Sequence, residues 1–119
     1  GPAFVIPRIL AAAGVGKDDV EIVEIHEAFA AQVLSVLTLL EDEAWCRERL
    51  GLDGAFGAIE GARLNAWGGS LSLGHPFGAT GTRLVINGCH RMRHEGARYG
   101  LLAACAAGAV GIGVLLERP

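Results

Sequence analysis

Between Asn65 and Gly81, five glycines (Gly68, Gly69, Gly74, Gly78 and Gly81) surround a single imidazole, His75. No helix or strand can run through such a segment without a large backbone entropy cost, so it must fold as tight turns that let backbone approach something closely. A helical pattern begins directly after His75. The histidine is therefore set at the mouth of a turn, a position suited to a reacting group.

The elements on either side follow from periodicity. Pro2 and Pro7 suit the first turns of a helix carrying Ile6, Ile9, Leu10 and Ala13 on one side, with Gly14 as its stop. Val20 to Ile25 is rich in β-branched residues and reads as a strand buried on at least part of both faces, which puts His26 and Glu27 at its C-terminal end. Phe29, Val33, Val36, Leu37 and Leu40 recur at helical spacing, and a short helix beginning at Glu41-Asp42-Glu43 runs to Leu50 before Gly51. Residues 51–62 show neither period and read as a surface excursion. After the His75 turn, Leu84, Val85, Gly88, Cys89 and Met92 form the buried stripe of a helix, while Arg83, Asn87, His90, Arg91 and His94 form its solvated stripe, with Gly96 as the stop. Tyr99 to Ala104 and Gly111 to Leu116 read as two closing strands, and Cys105 to Ala109 as the turn between them.

This order predicts an α/β layered domain, in which ligands gather beyond the C-terminal ends of the strands. His26, His75 and Cys105 are then expected to converge at one edge. Taken singly, His75 and His26 are each accounted for as structural histidines, and Cys105 as a small buried hydrophobe.

Composition narrows the function classes. A net charge of -3 over 119 residues gives no basic face for nucleic acid. Three cysteines in dissimilar settings are an odd set that argues against a disulfide scaffold and for a reducing compartment. No metal site is expected, because no Cys-x-x-Cys pair occurs and His90 and His94 lie among Arg91 and Arg93. No apolar run is long enough for a transmembrane segment, and no signal peptide is legible. A chain that does not start with Met reads as a piece of a longer protein. Its hydrophobic content of 51% is high for this length and points to apolar surface facing a partner. Gly74, Gly78 and Gly81 lack the spacing of a nucleotide-binding glycine motif.

Three motifs carry a family resemblance. His26-Glu27-Ala28-Phe29-Ala30, the loop from Gly74 to Gly81, and Cys105-Ala106-Ala107-Gly108 stand in the order and spacing of the C-terminal half of the thiolases, which the chain resembles nearly end to end. His-Glu-Ala-Phe in place of the commoner Asn-Glu-Ala-Phe, with the run from Trp67 to Gly81, is similar to the type found in fatty-acid β-oxidation multienzyme complexes, the trifunctional β-subunit type. The resemblance implies that residues 1–119 are a thiolase C-terminal domain, a mixed sheet flanked by helices forming half of a five-layer αβαβα arrangement. The nucleophile-bearing N-terminal half is then outside this chain. The helix from Pro2 or the helix after Phe29 would present a face to that half.

It also implies an activity: 3-ketoacyl-CoA thiolase, an acyltransferase with coenzyme A as substrate and no covalently bound cofactor. His75 would take the proton of the nucleophilic cysteine, and His26 with His75 would form the first oxyanion site. Cys105 would be the acid/base, the backbone N–H of Ala107 would serve the second oxyanion site, and Phe29 would line the pantetheine channel. Implied partners are the N-terminal half, a second copy in a homodimer or higher oligomer, and a hydratase/dehydrogenase subunit. The compartment would be cytoplasmic in a bacterium and mitochondrial in a eukaryote, not secreted. Neither Cys46 nor Cys89 has the context of the nucleophile, so the chain alone is expected to be inactive. Ala109 departs from the second glycine usual after Gly108. A ketoacyl synthase shares the fold but lacks the second cysteine, so Cys105 separates the two; a non-catalytic thiolase-fold fragment is the other alternative.

Overall fold

The computed structural model describes residues 1–119 as a three-stranded sheet with helices on both faces. Helix α1 is Pro2–Ala13, opened by a proline at its first position and closed by Gly14 at φ 67. Strand β1 is Val20–Ile25 and helix α2 is Ala30–Glu41. Helix α3, Glu43–Trp45, is capped by the Asp42 side chain and runs on through a wider turn, Cys46–Leu50, to Gly51. Helix α4 is Ser70–Leu73, α5 is Phe77–Glu95, β2 is Tyr99–Ala106 and β3 is Val110–Glu117. The order across the sheet is β1-β2-β3, with β1 parallel to β2 and β3 antiparallel to it. The sheet is thus mixed, as expected.

An irregularity in register between Val20 and Ile22 turns Val20 and Val23 to the same face. Val20, Val23 and Ile25 therefore join Leu101 and Ala103 beneath Ala3, Ile6 and Leu10 of α1 and Val33, Val36 and Leu40 of α2. Ile22 turns the other way, onto Met92 and Ala97. Burying an aliphatic side chain such as Ile6 completely contributes about 1.5–3 kcal/mol, so the α1/α2 side holds most of the apolar stabilisation. Helix α1 reaches β3 because Gly113 has no side chain; a Cβ there would strike Val5.

Three expectations are corrected. Cys89 is exposed, and Arg91 on the supposed solvated stripe is fully buried. The buried set of α5 is Thr80, Leu84, Gly88, Arg91 and Met92, a stripe rotated toward β1, where the buried carboxylate of Glu24 receives Arg91 Nη1 at 2.8 Å. Arg83 lies half-buried on the same flank. Cys105 is not on the turn: β2 extends to Ala106, with Cys105 opposite Gly111, and the turn is 107–109. Residues 51–62 run over the surface without helix or strand, as expected, and are tied down where Phe56 and Ile59 pack on the main core and Gly57 N–H donates to Leu40 O at 2.9 Å. The apolar side of α1 is covered by this chain's own sheet and α2. The open apolar surface lies mainly on β3 and α5, at Val110, Ile112, Val114, Phe77 and Ile86, with Phe29 and Leu34 near α2 a smaller part. No helix is long and apolar enough to cross a membrane.

Candidate active site

Parallel pairing brings the C-terminal ends of β1 and β2 to one edge of the sheet. His26 follows β1 directly and prolongs the ladder, its N–H donating to Ala103 O at 2.8 Å. Cys105 is the penultimate residue of β2 and is half-buried at the same edge. Opposite them, Gly74 at φ 100 turns the chain so that His75 stands just before α5. The rings of His26 and His75 have centroids 4.3 Å apart at 40°. One cleft is lined by His26, His75, Phe77, Thr80, Cys105 and Ala107, among others.

Each histidine spends Nδ1 on a hydroxyl. His26 Nδ1 lies 2.8 Å from Ser70 Oγ, and His75 Nδ1 lies 2.8 Å from Thr80 Oγ1. Both Nε2 atoms are left without a protein partner in residues that line the cleft. Burial of the His26 ring holds it below the ordinary imidazole range, and the neighbouring His75 and Arg83 push the same way against Glu27. These surroundings favour the neutral ring of His26 over the charged one. The N–H of Ala107, in the turn after β2, donates to no acceptor within the chain.

The support of this edge was only partly legible. Glu27 accepts from Asn65 Nδ2 at 2.7 Å and from the N–H of Leu71 at 3.0 Å, so its carboxylate sits at the N-terminus of α4, where negative charge is favoured. Asn65, at φ 45, clamps Ile25 through both side-chain atoms at 2.8 and 2.9 Å, and its N–H donates to Val23 O at 2.9 Å. Gly69 must be glycine, because a Cβ there would overlap the Glu27 carboxylate. Arg83 Nη2 donates to Ser70 Oγ at 2.9 Å and to Gly74 O at 3.3 Å. Sequence periodicity could not find Ser70 or Arg83, since both act through contacts between distant segments. An Asn preceding a glycine run was the one available signal for Asn65, given its tolerance of left-handed backbone.

The expected residues divide. His26, His75, Cys105 and Ala107 come together at the cleft, whereas Phe29 does not line it and its ring is 72% exposed at the start of α2. Cys46 is fully buried, with Phe56 N–H donating to its sulfur at 3.4 Å, and Cys89 faces away on α5. Cys105 is therefore the one thiol of this chain at the cleft. Phe77, unassigned by the sequence, lies edge-on to His75 with ring centroids 5.0 Å apart. Ala109 holds φ 61 in the turn, a left-handed conformation that costs a residue with a Cβ roughly 1–2 kcal/mol.

An imidazole and a thiol at the carboxyl ends of two parallel strands, faced by a second imidazole from the start of α5, place three groups able to carry protons at one edge of an α/β domain. The chain belongs to the thiolase family: residues 1–118 match the thiolase C-terminal domain. It is 50% identical over 116 residues to a probable 3-ketoacyl-CoA thiolase of Caenorhabditis elegans, covering 98% of this chain and 26% of that protein. It is 44% identical over 117 residues to the mitochondrial trifunctional enzyme subunit beta of Bos taurus, covering 98% and 25%. The acetyl-CoA acetyltransferase of Syntrophomonas wolfei superposes with a TM-score of 0.82 at 32% identity, covering all of this chain and 27% of that one. The chain thus spans about a quarter of the length of the curated relatives it matches.

Proposed function

We propose that this chain is the C-terminal catalytic domain of a 3-ketoacyl-CoA thiolase of the fatty-acid β-oxidation type, acting with an N-terminal half that supplies the nucleophilic cysteine. The observation that carries the reading is the meeting of His26, His75 and Cys105 at one cleft with both Nε2 atoms unpartnered. His75 Nε2 takes the proton of the incoming nucleophile. The thiolate then attacks the ketone carbon of the 3-ketoacyl-CoA, and the oxygen on which negative charge develops is held at the second oxyanion site by the Ala107 N–H together with a donor from the other half. As the C2–C3 bond breaks, its electron pair stays on acetyl-CoA, and Cys105 Sγ–H protonates that carbon. In the second half, coenzyme A gives its thiol proton to Cys105 and attacks the acyl-enzyme, the bond to the nucleophilic cysteine breaks, and the departing thiolate recovers its proton from His75. His26 and His75 form the first oxyanion site and hold the thioester oxygen of acetyl-CoA as it takes enolate charge. Positioned donors of this kind are each worth about 10²–10³ in rate.

The pantetheine contact proposed for Phe29 would be made outside the cleft itself, along the exposed rim at the start of α2. A homodimer or larger assembly, a hydratase/dehydrogenase partner, and a mitochondrial or bacterial cytoplasmic setting belong to the same reading. The test uses the longer protein that contains residues 1–119, assayed for CoA-dependent cleavage of acetoacetyl-CoA. Cys105→Ala is expected to lower turnover by about 10²–10⁴. His26→Asn retains partial activity, because an amide can also donate to the oxygen; complete loss contradicts the oxyanion role. The isolated 119-residue chain forms no acyl-enzyme detectable by mass spectrometry, and turnover by it at a full rate overturns the division of labour.

A further inference from the structure

His26 can act as a donor toward a substrate oxygen only if its proton is on Nε2, and neutral imidazole carries one proton on either nitrogen. The surroundings of Nδ1 decide between them. Ser70 Oγ lies 2.8 Å from His26 Nδ1 and accepts from Arg83 Nη2 at 2.9 Å. Arg83 has no acceptor atom, so its side of that contact is fixed. Ser70 is buried at 6% exposure, and its hydroxyl proton has no outlet other than His26 Nδ1. Were Nδ1 protonated, two donors would face Ser70 Oγ and the serine proton would be stranded in a buried site. That arrangement is disfavoured at least about tenfold.

We propose that Arg83 and Ser70 are positioning residues that lock His26 in the Nε2–H tautomer, and so determine that it presents a donor to the cleft. The proposal rests on the thiolase reading for its consequence, not for its geometry. Arg83 is suited to the task because its Nε and Nη1 are buried without hydrogen-bond partners, so its bonds go to Ser70 Oγ and Gly74 O, and its positive charge polarises the Ser70 hydroxyl toward His26. The same guanidinium donates to Gly74 O at 3.3 Å, beside His75, so one side chain ties the His26 support to the His75 turn. Glu27 and Asn65 complete the arrangement by anchoring α4, which carries Ser70, against the end of β1.

The tautomer is read directly by nitrogen NMR of the longer protein, selectively labelled at histidine, with the His26 signals assigned by their disappearance in His26→Asn. The parent protein shows His26 as Nε2–H with Nδ1 as acceptor. Ser70→Ala moves a substantial fraction to Nδ1–H, and Arg83→Met, which frees the serine lone pair, gives a mixture. Ser72→Ala removes a hydroxyl that bonds only Gly69 in the same short helix and leaves the tautomer unchanged. In turnover, Ser70→Ala lowers kcat about 10- to 100-fold with KM changed less than about threefold, as expected when a donor is lost in the transition state. Placed in the His26→Asn background, Ser70→Ala costs less than about threefold, because an amide has no tautomer to fix. An unchanged tautomer in Ser70→Ala, the same shift in Ser72→Ala, or equal kinetic losses in both backgrounds overturns the proposal. A parent protein that locks the tautomer yet cleaves no 3-ketoacyl-CoA overturns the thiolase reading and leaves the lock standing.

Discussion

The two faces of the sheet are built on different terms. Beneath α1 and α2, eleven buried residues form one continuous apolar cluster. Beneath α5 the buried apolar cluster is Ile22, Met92 and Ala97, with Leu84 and Leu102 buried further along, and the contact toward β1 is polar, centred on Arg91 between Glu24, Glu95 and the carbonyl of Arg63. Beyond that seam, Val110, Ile112 and Val114 of β3 stay exposed beside α5. The first face is held by non-directional burial and tolerates similar shapes; the second is held by directional bonds that fix where α5, and with it His75, stands over the strand ends. A site needing two histidine rings 4.3 Å apart gains from the second kind of contact.

The largest expected effect falls on the polar seam. Arg91→Met strands the Glu24 carboxylate, which burial already pushes above the usual glutamate range against the pull of Arg91. Removing one partner of a buried pair costs about 3–5 kcal/mol, to be read from urea unfolding. The companion on the apolar face, Ile6→Ala, is expected to cost about 2–5 kcal/mol through lost burial and a residual cavity. The two should separate in a second measurement: Arg91→Met lowers activity of the longer protein beyond its loss of stability, while Ile6→Ala does not. Equal effects on activity per unit of stability lost would erase the distinction between the faces.

That distinction also explains what the sequence could convey. The apolar face was legible: α1, β1 and α2 begin and end where proline, β-branched residues and Gly14 place them, because burial on one side imposes a period. The polar face was not. Charge alone places Arg91 in water, since the buried carboxylate that pairs with it lies 67 positions away, and the expected buried stripe of α5 is rotated accordingly and takes Cys89 inside. Composition alone puts Cys105 on a turn because alanine and glycine are poor strand formers, yet the pairing of Cys105 with Gly111 and of Ala106 with Val110 extends β2 past it. At the site, motif spacing brought His26, His75 and Cys105 into view. Their supports, Ser70, Arg83 and Asn65, are contacts between segments and have no period to announce them.

A smaller effect of opposite sign is expected at the hairpin between the faces. Ala109 at φ 61 carries a Cβ where glycine would be unstrained, so Ala109→Gly stabilises the protein by about 0.5–1 kcal/mol after the entropy of the unfolded glycine is deducted. A destabilisation would mean that the methyl makes a contact outside this chain. The turn directs the Ala107 N–H, so the same variant also reports, through turnover, whether strain at 109 alters that donor.

The smallest effect sharpens the comparison most. Ile112 is 66% exposed on the α5 side of β3, opposite Ala104 in the strand that carries Cys105. Exposed positions without special contacts change stability within about ±0.5 kcal/mol, and Ile112→Ser in the 119-residue chain is expected to stay inside that range. In the longer protein, the proposed second half would cover this surface, and the same substitution would then cost about 1–3 kcal/mol, as burial of an aliphatic side chain demands. A silent Ile112→Ser in both contexts would mean that the open half of the α5 face stays in water and that the apolar surface of this chain has some other use. A cost already present in the short chain would mean that copies of it associate through β3, which the dependence of unfolding on protein concentration would reveal.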